Sequence, residues 1–213
     1  MAPKVQFEEG ESSTAIYVVR SLGIDPATGR EIFLDRNGNR TNLWNAGDQV
    51  ICGNDLPDFQ GNIGANFSWK GVSLNVVFRY QWGGQMYNTT LLNAVENAEL
   101  SYNVDRRVLS GRWRNPGDVK PYKAIRYTGY GKDRRMERPQ PTSRLVQDRN
   151  DLTLSSVNLS YDMFRHNIKK LGMETLRFSF YMNDVYTWSS IKIERGTSYP
   201  FARTMNFSLS ATF

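Results

Sequence analysis

Apolar and polar residues alternate one by one along five segments of this 213-residue chain. In the clearest segment, from Val72 to Trp82, every even-numbered residue is apolar or aromatic, and most of the residues between them are polar. Because successive side chains of a β-strand point to opposite faces, this period of two predicts a strand with one apolar face. The other four segments are 61–69, 152–164, 176–183 and 204–213.

The segment at 152–164 changes phase in its middle. Its apolar residues are even-numbered at Leu152 and Leu154 but odd-numbered from Val157 onward. One extra residue in the strand, a β-bulge, would bring both sets to the same face. We therefore predict a bulge near Ser155 and Ser156.

The lengths of the segments and of their connections favour a membrane sheet. Segments of roughly 9 to 13 residues exceed the five or six that are usual in soluble proteins and suit a tilted membrane crossing. The connections alternate between short (70–71 and 165–172) and long (83–150 and 184–200), as in transmembrane barrels with periplasmic turns and extracellular loops. We predict an all-β fold, an antiparallel transmembrane β-barrel segment of five strands, incomplete as a barrel and preceded by a loop and hairpin region over 1–60.

Regular structure outside these five segments is predicted only in short pieces. Residues 14–20 form a candidate strand, and residues 31–34 form a candidate hairpin arm. In the long loop, apolar residues at helical spacing predict a helix over Thr90 to Leu100, and Arg106 to Trp113 predicts one or two further helical turns.

Residues that could carry chemistry are few. The chain has one cysteine and one histidine, His166, which lies in the short basic turn RHNIKK. We therefore predict neither a Ser-His-Asp triad nor a multi-histidine or thiolate metal site. We predict no enzymatic activity, no cofactor and no metal. The net charge is +6, but acidic residues accompany the basic ones, even in the basic stretch at 132–138, so we predict no nucleic-acid partner.

Two groups of apolar and aromatic residues are candidate functional residues. Rings near the predicted outer ends of strands suit either a membrane-interface girdle or contacts with a ligand or lid. These rings are Trp82, Tyr87, Trp188 and Tyr199. The second group is the apolar side of the last strand, namely Phe207, Leu209, Ala211 and Phe213.

Five motifs, in order along the chain, carry a resemblance to a known family. They are GIDPATGREIFLDRNGN (23–39), LPDFQGNIGANFSWKGVSLNVVF (56–78), QWGGQMYN (81–88), TSRLVQDRNDLTLSSVNLSYD (142–162) and TWSSIKIERGTSYPFARTMNFSLSATF (187–213). Over these motifs the chain resembles the C-terminal part of the SusC/RagA-like TonB-dependent outer-membrane receptors. The resemblance covers residues from about 20 to the end.

The resemblance implies a large outer-membrane barrel, of the class with about 22 strands and a plugged lumen. Such a receptor imports glycans or peptides with energy from TonB and works with a SusD-like surface lipoprotein. In proteins of this kind the barrel-assembly machinery recognises an aromatic-ended last strand, which gives that role to the strand ending at Phe213. We expect the chain to be a fragment without the plug domain, located in the outer membrane and coupled to TonB only through the missing N-terminal part.

Two other functions stay open on the sequence alone. Alternating strands also build soluble β-sandwiches with one buried face, so a soluble binding module is the first alternative. The second is a contact surface for lipopolysaccharide or a partner protein, without transport. An intact small porin would need at least eight strands.

Overall fold

The computed structural model describes residues 6–98, 104–128, 135–136, 138–164, 166, 169, 172–192 and 203–213. The chain is mainly β-structure with a few short helical turns. Its strands are β1 (Ala15–Ile24), β2 (Glu31–Leu34), β3 (Arg40–Thr41), β4 (Gln49–Asn54), β5 (Phe59–Trp69), β6 (Val72–Tyr87), β7 (Tyr127–Thr128), β8 (Arg135–Met136), β9 (Val146–Asp162), β10 (Thr175–Ser189) and β11 (Met205–Thr212). They lie in two compact units. The first unit falls within Met1–Leu56, Gly84–Asp148 and Lys192–Tyr199, and the second within Pro57–Gly83, Arg149–Ile191 and Pro200–Phe213.

The second unit is a five-stranded sheet with the order β11-β10-β9-β6-β5. The β5–β6, β9–β10 and β10–β11 pairs are antiparallel. The Asp162 N–H donates to the Gly71 carbonyl at 2.7 Å, and the Gly83 N–H donates to Asn150 Oδ1 at 3.0 Å. The first contact joins the end of β9 to the start of β6, and the second joins the first part of β9 to the later part of β6. This pair is therefore antiparallel too. The five predicted strands are confirmed as an open sheet whose edges, in the part described, are β5 and β11.

The predicted tight turn between β5 and β6 is confirmed at Lys70 and Gly71. Both residues have positive φ, +45° and +88°, as in the two-residue turns that match the twist of a hairpin. A Cβ on Gly71 would lie 2.4 Å from the Asp162 carbonyl oxygen. Glycine is therefore required here both by the backbone conformation and by the close approach of β9.

The strand register pairs apolar residues with apolar residues and polar with polar. We call the apolar face the one formed by apolar pairs such as Ile63–Phe78, Phe67–Leu74, Phe180–Leu159, Phe180–Phe207 and Phe178–Leu209. The polar face carries pairs such as Asn66–Asn75, Ser179–Ser160, Ser179–Ser208 and Asn183–Ser156. Because Asp162 lies opposite Gly71, Tyr161 falls opposite Val72 and the apolar face continues from β6 to β9.

The predicted bulge is found at the expected level of the sheet but in the neighbouring strand. Asn183 lies opposite Ser156 and Tyr186 opposite Leu154, so β10 uses three steps where β9 uses two. The extra residue is in β10, where Asp184 has a φ of +46°. Asp reaches the left-handed region more readily than most residues, whereas β9 continues as a strand from Val146 to Asp162.

The bulge has the opposite effect from the one predicted. Because β9 itself is not bulged, Leu152 and Leu154 do not return to the face of Val157 but alternate onto the polar face. The bulge in β10 places Tyr186 and Trp188 on the polar face as well, since these residues lie opposite Leu154 and Leu152. The prediction that one face would stay apolar along the whole of β9 is wrong.

Three strands also extend into the predicted loops at 83–150 and 184–200. β6 continues through Gly83, whose φ is +83°, as far as Tyr87. β10 continues through Asp184 as far as Ser189, and β9 already begins at Val146.

The first unit combines the N-terminal region with the long loop. It contains the sheet β3-β2-β1-β4 and a core in which Val18, Leu92, Val95, Val108 and Leu145 are fully buried. The predicted helix over 90–100 is shorter and irregular, with α1 at Thr89–Leu91 followed by a π-helical stretch at Leu92–Glu96. A second short helix, α2 (Arg107–Ser110), lies in the predicted place. The region over 1–60 is thus a sheet, not only loop and hairpin.

In the described residues, every helix is too short or too polar to span a membrane.

Candidate functional site

The end of the five-stranded sheet farthest from Phe213 carries exposed aromatic rings on both faces. On the apolar face Trp82 lies opposite Phe59, with 49% and 71% of the residue surface exposed. On the polar face Tyr186 packs edge-on against Trp188, with ring centroids 4.7 Å apart and an interplanar angle of 64°. Two of the rings predicted from the sequence are therefore at one end of the sheet but on opposite faces.

The position of the Tyr186–Trp188 pair follows from the bulge at Asp184. Without the extra residue, Trp188 would share the face of Phe178 and Phe180. With it, the pair lies beside Leu152 and Leu154, which are half-buried, on the face that also bears Asn183. Half of each ring remains exposed, so the pair is free to contact a ligand on that face.

Hydrogen bonds around Asn150 hold this end of the sheet together. Asn150 Oδ1 accepts from Gly83 N–H at 3.0 Å. On its other side, Asn150 exchanges bonds with Ser190, through N–H to Oγ at 2.9 Å and through its carbonyl, which accepts from Ser190 N–H at 2.9 Å. Asn150, in the middle strand β9, is thus hydrogen-bonded to β6 on one side and to the end of β10 on the other. These bonds hold the backbone that carries the aromatic rings.

The other two predicted rings do not join this group. Tyr87 is 8% exposed and belongs to the core of the first unit, together with Ile16 and Leu91. It is not available there for a ligand or a membrane interface. Tyr199 lies outside the described residues.

The terminal strand β11 is the most exposed part of the second unit. It pairs with β10 only, and all its residues from Met205 to Thr212 are exposed. Phe207 and Leu209 lie on the apolar face with 78% and 64% exposure, and Phe213 beyond them is 79% exposed. Ala211 lies opposite Leu176 on the same face.

The first unit contains a buried ion network that no local sequence pattern predicts. Arg144 donates to both oxygens of Glu96, at 2.6 and 2.9 Å, and to both oxygens of Glu31, at 3.2 Å each. Glu31 also accepts from the Thr142 hydroxyl at 2.8 Å. Burial alone lowers the pKa of Arg144, but the two carboxylates more than offset it, so its pKa lies above the usual value. The guanidinium therefore stays charged and joins β2 to the long loop.

Arg112 holds the same region from the other side. Its guanidinium donates to the backbone carbonyls of Val108, Lys123, Val95 and Glu96 at 2.7 to 3.2 Å. Burial lowers the pKa of Arg112, and Glu96 partly counteracts this. Both arginines position the loop through these buried hydrogen bonds.

The described residues do not group the side chains that catalysis or metal binding needs. His166 is exposed, Cys52 is half-buried with its Sγ donating to the Val18 carbonyl, and no cluster of three His, Cys, Asp or Glu side chains occurs in that part of the chain. What the arrangement offers is contact surface: an apolar face, a hydroxyl- and amide-rich face, and aromatic rings on both.

The sequence is similar to parts of longer curated proteins. No protein-family model matches it. TonB-dependent receptor P39 of Formosa agariphila is 28% identical over 162 residues, which is 75% of this chain and 15% of that protein. TonB-dependent receptor P3 of the same organism is 26% identical over 159 residues, which is 74% of this chain and 14% of that protein.

The fold is similar to part of a solved transporter. A structure of the RagAB peptide importer in the "open-open" state matches with a TM-score of 0.64 and 18% identity, over 83% of this chain and 19% of that chain. The "closed-closed" state matches with a TM-score of 0.61 and 21% identity, over 83% and 20%. This chain resembles part of a SusC/RagA-like TonB-dependent receptor.

The comparisons confirm the resemblance that the motifs predicted. The two similar sequences belong to TonB-dependent receptors, and this chain spans about 15% of their length. In the RagAB structures the matched region has the same fold as this chain.

Proposed function

We propose that this chain is the C-terminal barrel portion of an outer-membrane TonB-dependent nutrient importer and has no enzymatic activity. The observation that carries the proposal is the strand register, which places most of the apolar residues of the five strands on one face. On that face Ile63, Phe67, Phe207 and Leu209 are 59 to 78% exposed. A continuous apolar surface of this kind is costly in water but favourable in lipid.

In this proposal the two faces of the sheet have different tasks. The apolar face contacts membrane lipid, and the polar face, with its paired serines and asparagines, lines the transport path. The edge strands β5 and β11 pair with strands of the remaining barrel, because an exposed edge would otherwise present unpaired backbone groups. The strand lengths, from 8 to 17 residues, include room for the tilted crossing and for extension beyond the membrane.

The burial pattern disfavours the alternative of a soluble β-sandwich. A sandwich buries its apolar faces between two sheets. In the described part of the second unit, the apolar residues of both edge strands remain exposed, Phe67 by 59% and Phe207 by 78%. The resemblance to RagAB peptide importer structures supports the barrel instead.

We extend the proposal to the partners and cargo of the complete receptor. By resemblance, the complete protein imports glycans or peptides with a SusD-like surface lipoprotein and with energy from TonB. The RagAB structures are titled as a peptide importer, which supports a peptide or a molecule of similar size as cargo.

The terminal strand is proposed as the assembly signal. Its exposed apolar side, Phe207 to Phe213, is accessible to the barrel-assembly machinery because β11 pairs on one side only. Deleting Phe213 from the complete receptor should lower its outer-membrane level, and replacing it by Tyr should preserve the level. Undiminished insertion of the variant that lacks Phe213 would contradict the proposal that the terminal strand is an assembly signal.

Trp82 and Trp188 are proposed to have separate roles. Trp188 and Tyr186, on the polar face, contact cargo, whereas Trp82, on the apolar face beside Phe59, belongs to the membrane-interface girdle. In the complete receptor, Trp188→Ala should reduce uptake while the surface level stays constant. Trp82→Ala should spare the uptake rate per surface receptor and lower the surface level instead. Equal uptake by the Trp188→Ala variant and the parent would contradict the cargo contact.

A further inference from the structure

The polar face of the five-stranded sheet carries two arginines within its strands, and their surroundings differ. Arg177 donates through Nη2 to Asp162 Oδ2 at 2.8 Å, so an aspartate of the neighbouring strand pairs with its charge. Arg79 is exposed and makes no hydrogen bond or ion pair among the described residues. The whole fork of N–H donors of the Arg79 guanidinium is therefore available to a ligand on this face.

The side chains beside Arg79 in the sheet are uncharged. Asn62 lies opposite it in β5. The two contacts that fix the β6–β9 register are the same number of residues apart in both strands, so Leu154 lies opposite Arg79 in β9. Asp58 lies farther along the face, about 13 Å from the row of Arg79, where a Cβ on Gly83 would overlap its carboxylate. No adjacent side chain of the described sheet therefore neutralises Arg79.

The bulge at Asp184 brings aromatic rings into the same part of the face. Tyr186 lies opposite Leu154, so Arg79, Leu154 and Tyr186 follow one another across β6, β9 and β10. Because adjacent strands are about 4.8 Å apart, the backbones of Arg79 and Tyr186 are about 10 Å apart. Trp188 packs edge-on against Tyr186, and about half of each ring is exposed. An unpaired cation thus lies beside an exposed aromatic pair on a face lined mainly by serines and asparagines.

We propose that Arg79 determines cargo specificity by selecting peptides that carry a carboxylate near an apolar side chain; this inference rests on the proposed role of the polar face as the transport path. The Arg79 fork binds the carboxylate through two parallel hydrogen bonds, and the rings of Tyr186 and Trp188 contact the apolar side chain. Side chains two residues apart in an extended peptide share one side, about 7 Å apart, which suits this spacing. The half-buried Leu152 and Leu154 beside the rings favour an apolar side chain over a hydroxyl-rich sugar.

The test is calorimetric titration of the complete receptor in zwitterionic detergent with short peptides blocked at both ends. One peptide contains Phe-Ser-Glu, its uncharged match contains Phe-Ser-Gln, and a third, with Gly-Ser-Glu, lacks the ring. The parent should bind Phe-Ser-Glu about tenfold more tightly than Phe-Ser-Gln, and added salt should reduce this preference. Arg79→Gln should bind both peptides about equally and keep its affinity for Phe-Ser-Gln within about twofold, which also verifies that this variant is folded.

Trp188→Ala separates the aromatic contact from the charged one. The parent should bind Phe-Ser-Glu about fivefold more tightly than Gly-Ser-Glu, as expected for a contact between aromatic rings. Trp188→Ala should reduce that difference and keep the preference for Glu over Gln. An undiminished difference between the Phe and Gly peptides in this variant would overturn the aromatic half of the site.

Arg177→Gln is the matched control, because it removes the same charge from the same face roughly 25 Å farther along the sheet, beyond the reach of a screened charge. It should keep the preference for Phe-Ser-Glu. A preference that survives Arg79→Gln, or one that Arg177→Gln abolishes, would overturn the proposal. A parent receptor that imports Phe-Ser-Glu and Phe-Ser-Gln equally contradicts this inference alone. One that inserts into the membrane and imports neither contradicts the importer function as well.

Discussion

Replacing Arg144 by Met should loosen the first unit severely. The Arg144 side chain is 14% exposed, and its partners Glu31 and Glu96 are 4% and 0% exposed. In the described residues, Arg144 is the side chain that hydrogen-bonds the Glu96 carboxylate. The substitution therefore leaves two buried carboxylates without their cation.

The size of the effect follows from that burial. Removing one partner of a buried ion pair costs about 3–5 kcal/mol, because the remaining charge is left uncompensated. Since domains are stable by about 5–15 kcal/mol, such a loss takes a large part of the free energy of unfolding of this unit. Replacing Glu31 and Glu96 by Gln in the same variant should restore only part of the loss, because the two carboxylates are then uncharged but buried Arg112 loses the charge of Glu96.

Urea unfolding of the chain in detergent micelles measures this free energy. Trp44 and Trp113 report on the first unit, through their Nε1–H bonds to the carbonyls of Pro141 and Pro26. The other three tryptophans are replaced by Phe so that the fluorescence comes from this unit alone. The midpoint should fall steeply for the Arg144→Met variant.

The control is Arg40→Met, the same chemical change at an exposed position of β3. It should alter the free energy of unfolding by no more than about 0.5 kcal/mol, as is usual for surface substitutions. If Arg144→Met shifted the midpoint no further than Arg40→Met, the buried network would not be what holds the long loop to β2.

Two further predictions concern local structure. Gly71→Ala should lower the yield of folded protein in micelles, because its φ of +88° and the Asp162 carbonyl oxygen 2.4 Å from the new Cβ oppose a side chain. Gly64→Ala should be tolerated, because the nearest atom to its new Cβ is the Val76 carbonyl oxygen at 3.8 Å. Hydrogen bonds from Arg107 hold the pKa of Asp105 well below its usual value. The stability that this pair contributes is therefore present above the unfolded pKa of about 3.9 and lost as the pH falls further. The protection factors of the amides of helix α2, which are corrected for the intrinsic exchange rate at each pH, should fall on acidification, and less so in Asp105→Asn; an equal fall in both proteins would contradict the pair.

The sequence predicted the parts of the fold that depend on local pattern. Every even-numbered residue from Val72 to Phe78 is apolar, so the strand, its faces and the turn at Lys70 and Gly71 could be derived from the alternation. The strand ends could not. Gly83 and Asp184 are residues typical of turns, and here they take positive φ inside strands that continue beyond them. A bulge and a turn use the same residues, and the register with the neighbouring strand decides between them.

The candidate site was predictable only in part for the same reason. Trp82 and Trp188 were identified as exposed rings near strand ends, but their faces depend on a bulge whose strand cannot be read from alternation alone. Tyr87 looked equivalent to them, yet the first unit folds over it. The network of Arg144 with Glu31 joins residues 113 positions apart, a distance over which no local pattern carries a signal.

The central proposal is that the apolar face of the sheet contacts lipid, and accessibility along β10 tests it most directly. Single spin-labelled cysteines, introduced after Cys52→Ser, are measured in lipid vesicles with oxygen as the apolar probe and a nickel chelate as the polar one. Labels at 178 and 180 should be accessible to oxygen, and labels at 179 and 181 to nickel. Beyond Asp184 the phase should invert, with labels at 186 and 188 accessible to nickel. Equal accessibility of odd and even positions, or nickel access at 178 and 180, would contradict a membrane wall.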